Sequence, residues 1–322
     1  MTEVPGRRPD GGRAVGYLEV LLAGTLWALS GPISVTLFRL GLPPTSVALL
    51  RPLLGVVFLG VFLLAIDRRL FQLPWRTLVT MLLVGGVVVA IFQVAYQMST
   101  DAVGVPSTVA LLYLAPAIVV AVSPLLLGER LTAAKASLAT LSVVGVWLTV
   151  VGSEGVGVDL TLGGLVWGVL CGAGYASVAL YGRWFSPRYG ALAPLFYSTL
   201  GGTVFLLVSY PLLGWRLELP VGTQQWGLMV LLALTTMALA PLALYHAMRK
   251  IEAGRAAIGT TIEPFVATLL AILLVDQGLR PVGWLGLVLL VVGVAGAYAM
   301  RAPTPPSGRR TEARPLREAP PG

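Results

Sequence analysis

Residues 111–132 read LLYLAPAIVVAVSPLLLGERLT. Two prolines, Pro116 and Pro124, sit inside a run that carries no charge until Glu129 and Arg130. In water this run would make a poor helix, because an interior proline removes one backbone hydrogen bond and clashes with the preceding turn. In a bilayer it is long enough to cross the hydrocarbon core, which takes roughly 20 apolar residues. Proline is tolerated there when neighbouring helices satisfy the freed carbonyl. The charged pair Glu129–Arg130 then marks where the apolar layer stops, as an interfacial anchor.

The rest of the chain has the same character. Of its 322 residues 57% are hydrophobic and 11% charged, with a mean hydropathy of +0.86. Soluble domains carry roughly 25% charged residues. Ten runs are long enough to span a bilayer, at about 17–38, 45–66, 77–98, 105–127, 133–151, 162–184, 191–213, 225–247, 256–275 and 282–300. None shows the short alternating pattern of a membrane barrel strand. The expected fold class is an all-α integral membrane protein with ten transmembrane helices.

A net charge of +8 could suggest nucleic acid, but the placement of the charge argues against it. With loops assigned alternately to the two sides, 18 of the 22 Lys and Arg fall on the side holding both termini. Three, Arg39, Arg216 and Arg280, fall on the other, and Arg51 lies inside a span. This is the positive-inside asymmetry. It predicts a multi-pass protein of the inner (cytoplasmic) membrane with both termini cytoplasmic, and no nucleic-acid partner. The first span is longer than a signal-peptide core and is read as retained. The tails, 1–14 and 301–322, are rich in Arg, Pro and Gly and are expected to be disordered.

The opening stretch has a counterpart 148 residues later, GTTIEPFVATLLAILLVDQGLR at 259–280, in which Pro116 falls on Pro264. At the same offset Trp27 falls on Tyr175, and VVGV at 143–146 recurs at 291–294. The chain therefore divides into a first repeat, 15–151, an external loop, 152–161, and a second repeat, 162–300. Five spans per repeat is an odd number, so the second copy enters the membrane upside down. Inverted repeats are a recurring plan of secondary transporters.

LAPAIVVAVSPLLLGERLT and IEPFVATLLAILLVDQGL resemble the paired signatures of the EamA family of the drug/metabolite transporter superfamily. GTLWALSG in the first span and the arginine of ALLRPLLG in the second also fit. The second copy departs from the first, with Asp276–Gln277 where the first has Gly128–Glu129. The resemblance covers about residues 17–300. It implies spans 1–4 and 6–9 around a central cavity, with spans 5 and 10 at the periphery, and transport of small metabolites, amino acids among them.

Polar groups inside the spans are the candidate site, because each is costly in lipid unless paired or wet. Arg51 lies roughly 10 Å below one face and Glu263 roughly 12 Å above the other, at about 1.5 Å per residue. Their axial separation in a core about 30 Å thick is then about 8 Å. Arg51 suits a substrate carboxylate, and Glu263 an amine or a proton. Gln93, Tyr96 and Gln97 on the third span, with Tyr113 and Tyr175, can hydrogen-bond a polar solute at less cost than a buried charge. Trp27 is too deep for an interfacial belt and is a candidate wall. Pro116 and Pro264 are candidate gating kinks. Glu263 and His246 are candidates for proton coupling. Glycines 164, 168 and 172 recur every four residues, a spacing that lets helices approach closely.

One cysteine, Cys171, and one histidine exclude an intramolecular disulfide and the usual His/Cys metal site. No phosphate loop, HExxH pair or Gly-x-Ser-x-Gly elbow is present. No cofactor or metal is expected, and the chain is not expected to be an enzyme. The expected function is a secondary transporter that exports small organic metabolites, amino acids or their analogues, by alternating access, with protons as candidate partners. A lipid-modifying intramembrane enzyme, or a sensor or scaffold with a transporter-like body, is the alternative.

Overall fold

The structure, a computed structural model, describes residues 10–66, 72–127, 132–155 and 158–300. Among these, nine helical stretches are long and apolar enough to cross a membrane, and Ala115–Leu125 is a shorter apolar helix. Their outer faces carry exposed Leu18, Val61, Leu125, Trp147 and Leu212, which only lipid would cover without cost.

In the first repeat, α1 (Asp10–Ala28) and α2 (Ser30–Arg39) form span 1, broken at Leu29, and α3 (Pro44–Ile66) forms span 2. Helix α1 begins inside the expected tail, so residues 10–14 are helical. The remaining tail residues, like Glu129 and Arg130, lie outside the described ones. Span 3 is α4 (Trp75–Thr80), a π turn (Met81–Gly85) and the first part of α5 (Gly86–Leu112). Helix α6 (Ala115–Leu127) completes span 4, and α7 (Ala133–Val151) is span 5.

The second repeat follows the same order. Spans 6 and 7 are α8 (Leu162–Tyr189) and α9 (Leu192–Leu212). Span 8 is α10 (Gly222–Ala233), a π segment (Leu234–Leu239) and α11 (Ala240–Met248). Span 9 is α12 (Ala253–Gly259), a 3₁₀ turn (Thr260–Ile262) and α13 (Glu263–Val275), and α14 (Pro281–Ala299) is span 10.

Helical hydrogen bonding runs on through the expected loop between spans 3 and 4. A straight helix over Trp75–Leu112, 38 residues, would be about 57 Å long, nearly twice the hydrocarbon core. The reversal happens at Gly104 alone, with φ 77° and ψ 173°, a conformation open only to glycine. A Cβ there would also lie 2.8 Å from Val158 and 3.1 Å from Gln277 Oε1.

Two short strands stand at one end of the helical body, the first of them in the expected external loop. β1 (Ser153–Gly155) pairs antiparallel with β2 (Gln277–Leu279), joining the ends of spans 5 and 9. Asp276, left-handed at φ 55°, ends α13 and turns the chain into β2. We call this the strand end of the molecule and the opposite one the terminal end.

Glycines set the closest approaches. In α8, a Cβ at Gly172 would lie 2.5 Å from the Leu111 carbonyl oxygen, so the glycine face of span 6 seats on spans 3 and 4. Helices α7 and α14 meet along a seam where Gly145 faces the Leu290 backbone and Gly286 the Thr149 backbone. These two spans pack on each other, outside the ring that holds the central cavity.

Candidate functional site in the central cavity

Both prolines of the paired signatures sit at the second residue of a half-helix. Span 4 breaks at Tyr113 and Leu114, and α6 starts with Ala115–Pro116. Span 9 tightens to a 3₁₀ turn, and α13 starts with Glu263–Pro264. Proline suits a first helical turn because its missing N–H has no partner there in any case. Pro124 stays inside α6.

The break in span 9 opens onto a cavity of ≈ 160 Å³ between the repeats. Trp27, Arg51, Gln93, Tyr96, Tyr175 and Glu263 of the sequence candidates line it. Arg51 is 5% exposed, yet no carboxylate lies within ion-pair distance of it among the described residues. Its Nε donates to Thr236 Oγ1 at 3.0 Å, and Nη1 donates to Gln93 Oε1 at 3.4 Å. The guanidinium carbon lies 5.4 Å from the centre of the Tyr96 ring, a cation–π distance. Glu263, 8% exposed, accepts from the Tyr113 hydroxyl at 3.1 Å. A buried cation and a buried carboxylate thus border one small cavity, each held by neutral dipoles and neither paired with the other.

Thr236 is the hub that the candidate set lacked. Its hydroxyl donates to Leu232 O at 2.6 Å while accepting from Arg51, and its carbonyl accepts from Trp27 Nε1 at 3.1 Å. The π segment makes the second role available, since its wider turn disrupts the usual i→i−4 pairing. A threonine pair, Thr235–Thr236, inside an apolar run was the available signal.

Tyr113 lies one layer behind the wall, where its hydroxyl shares its proton between Glu263 and Thr260 O, each at 3.1 Å. Gln97 is fully buried off the cavity, with both amide atoms unpaired among the described residues. His246 lies at the terminal end, its Nδ1 2.7 Å from Glu19 Oε1, which also takes Lys250 Nζ at 2.6 Å. That triad ties α1 to the end of span 8, away from the cavity wall.

The wall repeats itself. Adding 148 carries Trp27 to Tyr175, Ser30 to Val178, Arg51 to Thr199, Val89 to Met237 and Gln93 to Pro241, and all ten line the cavity. Comparison with known families matches residues 14–151 and 162–299 to the EamA-like transporter family, once for each repeat.

The chain belongs to the EamA-like transporter family. It is a multi-pass membrane protein built from two inverted five-helix repeats. Fourteen chains of solved structures match it. One, a crystal structure, is 19% identical with a TM-score of 0.60, over 90% of this chain and 97% of that one, a likeness of fold. A comparison with curated proteins found no match.

Proposed function

We propose that this EamA-like protein is a secondary transporter that exports small zwitterionic metabolites, amino acids or their analogues, across the cytoplasmic membrane by alternating access. The observation that carries the reading is the unpaired cation and carboxylate on one cavity. Arg51 offers a planar donor fork that matches a carboxylate. Glu263 offers an acceptor for an ammonium group, or exchanges a proton when the solute leaves. Trp27, Phe92, Tyr96 and Tyr175 supply aromatic walls for the side chain of such a solute.

Had Arg51 and Glu263 paired, they would have satisfied each other and left little for a ligand. Leaving both charges unpaired in a low-dielectric site is expensive, and a zwitterion would neutralise both at once. Export fits the charge asymmetry, which favours a cytoplasmic terminal end. The cavity reaches towards that end through Leu195 and Ser198 near the start of α9. Helix breaks next to each proline supply bending points for the two bundles, and Pro116 and Pro264 are the gating residues of this scheme.

A metabolite uptake and efflux screen of cells lacking and overproducing the protein identifies the solute. Reconstituted vesicles then test the site. Flux of an identified zwitterion should collapse in both Arg51→Met and Glu263→Gln. Normal flux in both variants, or a transported solute with neither a carboxylate nor an amine, would end this reading.

A further inference from the structure

On α2 the cavity lining ends at Ser30 and on the first limb of α5, before Gly104, at Tyr96, but polar side chains continue beyond it. One turn further towards the strand end, Ser34 follows Ser30 on α2 and Gln97 follows Gln93 on α5, each four residues on and so on the same helical face. The first limb of α5 runs the same way as α2, and Gly31 of α2 seats against Val105 just past the turn at Gly104. Ser34 and Gln97 are both fully buried. Ser34 Oγ and both amide atoms of Gln97 have no hydrogen-bond partner among the described residues. Buried polar groups in folded proteins are nearly always paired. These three unpaired atoms continue a cavity wall and call for a partner that the surrounding side chains do not supply.

The inverted repeat says where. At the offset of 148, Ser34 corresponds to Gly182 and Gln97 to Tyr245, both towards the terminal end. A Cβ added at Gly182 would meet nothing within 4 Å, and Tyr245 is half-buried. Equivalent positions are therefore closed at one end and loose at the other.

We infer that Ser34 and Gln97 form the second, closed half of the solute path, a neutral hydrogen-bonding station that becomes wet when the strand end opens. This rests on the alternating-access reading, and it adds residues that the cavity in this state does not contain. What holds the station shut is local. Gln277 Oε1 of β2 accepts from Val105 N, freed by the turn at Gly104, at 2.9 Å. Arg39 Nη2 donates to Val275 O at 2.5 Å, and Ser107 Oγ to Ser153 Oγ at 2.8 Å. Opening exchanges these contacts for the hydration of Ser34 and Gln97, while Gly182 and Tyr245 close by the same motion. The station's own groups, a hydroxyl and an amide, are neutral and suit hydroxyl, amide or water partners.

Single-cysteine labelling tests this in the full chain, reconstituted in vesicles of known orientation and with Cys171→Ala as background. The probe is a membrane-impermeant cationic thiosulfonate, so no solute need be known. Gln97→Cys and Ser34→Cys should label from the strand-end face roughly tenfold faster than Leu290→Cys in the α7–α14 seam. Adding Gln277→Ala should raise the Gln97→Cys rate and lower the rate of Tyr245→Cys from the opposite face. Gln97→Leu should raise the melting temperature and slow labelling at Ser34→Cys. Rates at positions 34 and 97 no faster than at Leu290→Cys, or Gln97→Cys and Tyr245→Cys rates moving in the same direction, would overturn the proposal. Flux lost in Arg51 and Glu263 variants with no labelling at 34 or 97 removes this station alone, whereas labelling with normal flux in those variants removes only the proposed solute site.

Discussion

Spans 4 and 9 are copies that break at the same place and differ in what stands there. Both begin their second half directly after a short turn, with proline in second position. The first residue of that half is Ala115 in one and Glu263 in the other, positions 148 apart. The same asymmetry runs round the cavity. Arg51 corresponds to Thr199 in the other repeat, and Gln93 to Pro241. The repeated positions build a hollow and the means to bend around it. The unrepeated side chains decide what the hollow holds. The cation comes from the first copy and the carboxylate from the second, so a solute bound between them touches both bundles.

The comparison breaks first at Glu263. Glu263→Gln keeps the shape and removes the charge, and gradient-driven flux in vesicles should vanish. Retained coupling would mean that the proton, if one moves, travels elsewhere. Arg51→Met should lower solute affinity about tenfold to a hundredfold, the range expected for a charge-assisted hydrogen bond of about 1.5–3 kcal/mol. Its repeat partner Thr199→Ala should stay within about twofold, because the Thr199 hydroxyl is neutral and already donates to Leu195 O. Equal losses at both positions would refute the division between scaffold and chemistry.

Gly104→Ala sharpens the architectural half. The added methyl meets Val158 and Gln277 while forcing a positive φ, and should cost about 1–3 kcal/mol, read as a lowered melting temperature in detergent. Tyr113→Phe removes one shared hydrogen bond to Glu263 and should slow flux about fivefold, as expected for roughly 1 kcal/mol. The smallest effect belongs to the terminal end. Glu19→Gln weakens a partly exposed triad with His246 and Lys250, and should change stability by under about 1 kcal/mol and leave flux near normal. A large loss there would bring His246 back as a coupling residue.

Much of this could be read before any coordinate. Span positions follow from hydropathy because lipid leaves a long apolar run only the helical solution. The constant offset between Pro116 and Pro264 identifies both the repeat and its breaks, and the same offset extended from Trp27, Arg51 and Gln93 reaches Tyr175, Thr199 and Pro241 on the opposite wall. Gln97 shows the limit. It shares a helical face with Gln93, yet one is on the cavity and the other sealed beyond it. Periodicity reports direction around a helix and not where along the axis a cavity ends.

The sequence by itself determined the solvent, the number and order of spans, the inverted duplication and the rarity of its intramembrane charges, since all of these depend on local composition or on comparing the chain with itself. Only the tertiary structure decided that Arg51 and Glu263 share a cavity without pairing, that Thr236 links Trp27 to Arg51, and that β1 and β2 close over Gly104. Those facts depend on side chains brought together from residues up to some 200 positions apart in the chain. Their separation in space is set by how the helices pack, through glycine contacts whose partners no single run of residues contains.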